Sequence, residues 1–305
     1  MIVKAAAFAI LAAVLYALMT PVAKLLQISA GPVAEAGLLY LGAGAGMAVI
    51  YVIEKKIGIE SGKASIGRED LKFVLAMIVL DMLAPIFLLL GLTMSTPESV
   101  SLLNNFEIVA TTVLAVAFFR EKVGGRLLAS IILITISCML LSLNGSAALQ
   151  FSTGSLFVLL ACICWGFENN CTSSLSEKDT RQIVMLKGFG SGSASLLLSF
   201  IIGEGTVSPV TAILIMILGF LAVGLSVYFY VLAQSRIGAS RTSAYYAVAP
   251  FIGVLLSLII FHQMPGKLFW AALLIMAAGV YISVKDTLAV DCEPQSKIAA
   301  EREVQ

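Results

Sequence analysis

The chain has 305 residues, of which 60% are hydrophobic and only 12% charged, with a formal net charge of +1 and a mean hydropathy of +1.02. Soluble domains carry about 25% charged residues, so there are too few charges here to cover a water-facing surface, and the near-zero balance offers no basic face to nucleic acid. The composition reads as a polytopic membrane protein with the lipid bilayer as its main solvent.

Ten apolar runs are long enough to span: residues 3–26, 33–53, 71–92, 98–119, 124–143, 153–175, 182–202, 209–233, 239–261 and 266–284. A spanning helix needs about 20 mostly apolar residues. Turn-rich stretches separate the runs: "SAGP", "STPES", "NGSA", "GEGTVSP" and "MPGK". A polar loop covers 54–70, and a polar tail covers 286–305. Lys4 before an apolar stretch has the look of a secretory signal, but the internal repeat described below makes the first run an integral helix. With the N-terminus in the cytosol and ten crossings, all but Lys24 and Lys267 of the 19 Lys and Arg fall on the cytosolic side. So one-sided a distribution fits the positive-inside rule, and a missed or added span would scramble it.

The first run, "FAILAAVLYALMTPVAKLL" at 8–26, resembles the sixth, "FVLLACICWGFENNCTSSL" at 157–175, with Tyr16 opposite Trp165. The second and seventh runs share small residues, "GAGAG" at 42–46 and "GFGSGS" at 188–193, which let helix backbones approach closely. The fourth run from Ser101 aligns with the ninth from Ser243. Each half holds five helices, an odd number, so the halves enter the membrane from opposite sides. The expected fold is all-α, with ten transmembrane helices in two inverted five-helix repeats, 1–146 and 151–285, and both termini cytosolic. Inverted repeats commonly hold a substrate site near the midplane between them.

Buried polar residues interrupt these runs. "NNFE" at 104–107 and "FENN" at 167–170 bring Glu107 and Glu168 into apolar helices, and Asp81 lies at a similar depth. A carboxylate at the bilayer centre costs about 2.5–3.5 kcal/mol on insertion scales, so these groups should face the bundle interior. Ser101, Asn104, Glu107 and Thr111 fall on one helical face, as do Trp165, Glu168 and Thr172. The candidate substrate-binding set is Tyr16, Asp81, Asn104, Glu107, Trp165, Glu168, Asn169 and Tyr246. A structural alternative is that Asn and Glu simply bridge helices. It weighs most for Asn105 and Asn170, which lie off the polar faces, and for Asp81, which could pair with Lys24 or a helix end. Lys187 is expected to snorkel to the cytosolic face.

An anionic cavity flanked by Trp and Tyr favours an amine-bearing solute, an amino acid or derivative, with cation–π attraction of about 0.5–2 kcal/mol. Protonated carboxylates would admit a neutral sugar or drug-like solute equally well. The five cysteines, 138, 162, 164, 171 and 292, show no metal-binding spacing. No metal and no cofactor are expected, and the absence of HExxH and GxxxxGK[ST] leaves a membrane enzyme or a primary pump little support.

With these motifs in place, the chain resembles the EamA-type transporters of the drug/metabolite transporter superfamily over residues 1–285. The similarity rests on "LYALMTPVAK" at 15–24, "CWGFENN" at 164–170, "NFEI…FREKV" with Glu107 and Glu121, and "VAPF…FHQMP" with Pro250. It departs from the family pattern at Ile108, Ala249 and Gln263. The resemblance implies a secondary transporter in the plasma (inner) membrane, an exporter by expectation, working by alternating access, driven by protons or by exchange. A homodimer is left open.

Overall fold

A computed structural model describes residues 2–27, 30–58, 62–119, 125–142, 152–173, 175, 178–237, 245–262 and 264–290. Glu121, Ser243 and Gln263, the loop around Ser146 and the tail beyond Val290 lie outside the described residues.

Helices follow from the runs, and their starts from local chemistry. In chain order they are α1 (Ile2–Ala17), α2 (Met19–Leu26), α3 (Pro32–Lys56), α4 (Leu71–Thr93), α5 (Pro97–Leu103), α6 (Phe106–Phe119), α7 (Gly125–Ser142), α8 (Thr153–Ser173), α9 (Thr180–Ile202), α10 (Pro209–Gly219), α11 (Ser226–Ile237), α12 (Ala249–Phe261) and α13 (Lys267–Val290). Proline opens α3, α5 and α10, where its missing N–H costs nothing. Thr96, Ser208 and Asp179 each accept a hydrogen bond from a first-turn N–H of the helix they precede, which satisfies otherwise orphaned donors. Gly203, at φ +73°, closes α9 in the left-handed conformation that glycine adopts without penalty.

Six helices among the described residues are long and apolar enough to cross a bilayer: Ala5–Leu26, Pro32–Lys56, Arg68–Thr93, Thr153–Thr172, Thr180–Ile202 and Pro209–Ala233. Three shorter apolar helices accompany them, at Leu128–Leu140, Ala249–Phe261 and Lys267–Ile282. The fourth predicted run does not form one helix. It breaks into α5 and α6 at Asn104 and Asn105. The eighth run continues from α10 to α11 through a π-helical segment, Phe220–Leu225, a wider turn that recurs at functional sites. The last helix runs to Val290, past the predicted start of the polar tail.

Small residues set the packing. A side chain on Gly188 of α9 would fall on the backbone of Gly44 in α3, and one on Gly42 would fall on the backbone of Met216 in α10. Large apolar side chains such as Phe200, Leu274 and Val210 instead point outward and are exposed. An apolar exterior around a core containing buried charges is the inverse of a soluble domain.

The antiparallel pair α3 and α9 is clamped at both ends. At the end rich in Lys and Arg, hereafter the basic end, Arg181 Nη1 lies 2.8 Å from Glu54 Oε2 and its guanidinium packs on the Tyr51 ring. At the far end, Glu204 accepts from Val33 N at 3.1 Å and from Ala34 N at 2.7 Å. Each clamp joins the C-terminal end of one helix to the N-terminal start of the other. The basic end is further tied by Lys178, 2.9 Å from Asp70 Oδ2.

Candidate functional site

The polar groups collect where helices lose regularity. α1 passes to α2 at Leu18, and Tyr16 sits just before that joint. Its ring lies 6.5 Å from Trp165, edge-on, and 5.8 Å from Tyr246. Tyr230 lies 5.0 Å from Tyr246 on another side. Ser226 donates to Ala12 O at 2.9 Å and its hydroxyl is 3.3 Å from that of Tyr246. Four aromatic rings therefore form one connected group spanning α1, α8, α11 and the segment before α12.

The break at Asn104–Asn105 lies beside this group. Both residues are buried, and irregular backbone is tolerated within a membrane protein only where protein or a polar cavity covers it. Asn105 Nδ2 donates to Leu102 O at 3.2 Å, and the Cys162 thiol lies 3.7 Å from Leu103 O and 3.8 Å from Asn104 O. A small pocket opens at the break, lined by Tyr16, Thr20, Ser101, Asn104, Pro250 and Gly253 together with Ala17 and Ala249. The buried Ser101 hydroxyl has no hydrogen-bond partner among the described residues and lies near Gly253.

One turn beyond the break, Asn169 Nδ2 of α8 donates to Glu107 Oε1 of α6 at 2.7 Å. Glu107 is half-buried and Asn169 is exposed, so this pair stands at the rim of the aromatic group.

The third cluster is ionic. Lys187 Nζ of α9 lies 2.6 Å from Glu168 Oε1 of α8 and 3.2 Å from Asp81 Oδ2 of α4. Tyr40 of α3 donates to Asp81 Oδ1 at 3.0 Å, and Thr172 donates to Glu168. Lys187 is 8% exposed, Asp81 2% and Glu168 3%. Four helices meet on three charges.

These contacts correct two readings of the sequence. Lys187 does not snorkel to an aqueous face. Its ammonium turns inward to two carboxylates, 2.6 Å from Glu168 and 3.2 Å from Asp81. Asp81 does not pair with Lys24, which instead donates to Leu92 O and Ser95 O at the end of α4. Asn105 donates to Leu102 O at the end of α5, and Asn170 donates to Gly166 O within α8; both bonds are local and neither bridges two helices.

The eight candidate residues therefore fall into three neighbouring groups. Tyr16, Trp165, Tyr246 and Asn104 surround the break and its pocket. Glu107 and Asn169 form a hydrogen-bonded pair. Asp81 and Glu168 share one lysine. The lysine is the member that sequence reasoning placed wrongly. A basic residue inside the seventh apolar run, in a chain with carboxylates inside other runs, was the available signal.

The profile of the EamA-like transporter family matches residues 3–143 and 152–285. An uncharacterized transporter from Methanothermobacter thermautotrophicus is 25% identical over 229 residues, covering 72% of this chain. The chain spans 66% of that relative's length. A crystal structure of a protein shares the fold with a TM-score of 0.69 at 15% identity, over 95% of this chain and 98% of that one.

Proposed function

The chain belongs to the EamA-like transporter family, and from that premise we propose that it is a secondary transporter that moves a small amine-bearing solute by alternating access around the break at Asn104–Asn105. Ten spans in two inverted repeats, 1–146 and 151–285, with both termini in the cytosol and the plasma membrane as the site of action, complete this reading. Two features support the repeat. The helix breaks at Asn104–Asn105 and at Ala247–Val248 fall at nearly equivalent positions of the two halves. The Glu54 and Glu204 clamps exchange places under the same equivalence.

One observation carries the amine reading: Glu107. Asp81 and Glu168 are compensated by Lys187, whereas among the described residues Glu107 accepts from a neutral amide, that of Asn169, and forms no ion pair. It lies within electrostatic reach of Tyr16 and Tyr246. A carboxylate beside aromatic rings suits an ammonium group. Outward movement is the expected direction, with protons or a counter-solute as the driving partner. The neutral-solute reading has one observation of its own: the described residues that line the pocket at the break are all uncharged.

Competition decides between them. With purified protein, neutral and cationic amino-acid derivatives should compete for one site, and Glu107→Gln should weaken them by roughly ten- to a hundredfold, the range for a charge-assisted hydrogen bond. Competition by sugars with no response to any amine would overturn the amine reading.

A further inference from the structure

The pocket at the helix break has two unlike walls. Tyr16 of α1, Thr20 of α2, Ser101 of α5 and Asn104 at the end of α5 are residues with hydroxyl or amide side chains, whereas Pro250 and Gly253 of α12 bring no polar side-chain atom. Helices of both proposed repeats meet there. Ser101 is 2% exposed, and among the described residues its hydroxyl has no hydrogen-bond partner. Gly253 keeps the space beside that hydroxyl open: a methyl group on it would stand 3.0 Å from Ser101 Oγ and 3.5 Å from Ala17 O. The space has about the size of one water molecule. A buried hydroxyl left without a partner is costly, and here a group small enough to reach it has room to do so.

We propose that this pocket is a subsite for one uncharged oxygen of the transported solute, a hydroxyl or an amide or ester carbonyl, and that it disfavours a carboxylate. The inference rests on the amine reading of Glu107 and extends it to the second polar group of the solute. Size keeps a sugar ring or a phosphate out of the subsite. Charge disfavours a carboxylate. The described residues that line the pocket are uncharged. Lys187 is already held by Asp81 and Glu168, and Lys24 donates to Leu92 O and Ser95 O. A carboxylate in the pocket would therefore be buried without a cation and close to the negative Glu107, an arrangement that costs far more than burying a hydrogen-bonded hydroxyl. The spacing fits a small solute. Asn104 precedes Glu107 by one turn, with Glu107 N donating to Asn104 O at 3.1 Å, a rise of about 4.5 Å. Tyr16 borders both the pocket and the aromatic group. A solute whose ammonium sits at Glu107 can thus place an oxygen three bonds away at Ser101. The class this selects is a small amino alcohol, or an amino-acid amide or ester, over the free amino acid.

Binding to the purified full chain tests it, with matched sets built on alanine, leucine and phenylalanine. Each set holds the amino alcohol, the amide, the free acid and the decarboxylated amine, at a pH below the pKa of every amine. Within a set, the alcohol and the amide should bind roughly three- to tenfold tighter than the plain amine, the range for one neutral hydrogen bond, and the free acid should bind most weakly. Ser101→Ala should bring the ratio of alcohol to plain amine to about one. Gly253→Ala, which fills the space, should do the same, while Glu69→Gln at the basic end should keep the parent ratio. Should either pocket variant fail to fold, the other and the parent ligand series carry the test. Alcohol, amide and plain amine binding alike, or the free acid binding as tightly as the alcohol, overturns the subsite and leaves the amine reading standing, provided Glu107→Gln weakens them all. A preference for the alcohol that survives in every folded pocket variant overturns it too. Failure of every amine to bind overturns the amine reading and the subsite with it.

Discussion

Lys187 decides the electrostatics of the interior. Its 8% exposure and two carboxylate partners make the cluster a buried ion triad rather than a row of free acids. Removing one member of such a set costs more than the set contributes, because the remaining charges stay buried without compensation. Lys187→Ala should therefore lower stability by about 3–5 kcal/mol in denaturant unfolding, and adding Asp81→Asn and Glu168→Gln to it should restore most of the loss. A triple variant no more stable than the single one would show that the triad is not what the site depends on. Lys178 is the contrast at the basic end, where Glu69 is exposed. Hydrogen bonding to Asp70 holds its ammonium above the usual lysine range. A raised cation contributes stability that is fully present at neutral pH and lost as pH rises through its shifted value, so Lys178→Ala should lower stability at neutral pH, and its difference from the parent protein should shrink as pH rises through that value. Much of the site was legible at this scale, because a carboxylate in an apolar run announces itself. The triad was not: a lysine's reach is about as long as the distance to a water-facing surface, and only the packing of α4, α8 and α9 says which way it turns.

At the scale of elements, the runs of apolar residues marked the helices well and their interruptions poorly. Nothing in "SLLNNFEIVATT" separates a continuous helix from one broken at the asparagines, since Asn is only mildly unfavourable within a helix. The break depends on Asn105 capping Leu102 O and on Cys162 approaching Leu103 O from α8. The small-residue motifs were legible as contact surfaces, and α3 meets α9 through Gly44 and Gly188. Their partners in α10 were not, because Met216 carries no sequence sign of close approach. Gly188→Ala should force the two backbones apart, at a cost of about 1–3 kcal/mol typical of overpacking. Gly205→Ala, where an added methyl meets nothing, should leave the melting temperature nearly unchanged. Equal tolerance at both positions would contradict the packing described for α3 and α9.

For the whole molecule, topology and transport remain linked. The loop at 62–67 lies against the start of α9, where Asp179 N donates to Ala64 O at 3.0 Å, and it shares the basic end with Arg181 and Lys178. On the proposed orientation that end is cytosolic. In intact cells carrying a cysteine-free variant, a single cysteine at Ser146 should react with a membrane-impermeant reagent, and one at Lys63 should react only after permeabilisation. The reverse pattern would invert the molecule. On the proposed reading the chain itself carries an amine across a bilayer through a saturable site that depends on Glu107. The most direct test is counterflow in liposomes containing only the purified protein, preloaded with an unlabelled neutral or cationic amino-acid derivative. Saturable accumulation of the labelled solute, abolished or strongly weakened by Glu107→Gln with the fold intact, is the predicted result; accumulation of sugars alone, or amine flux indifferent to Glu107, would contradict the account.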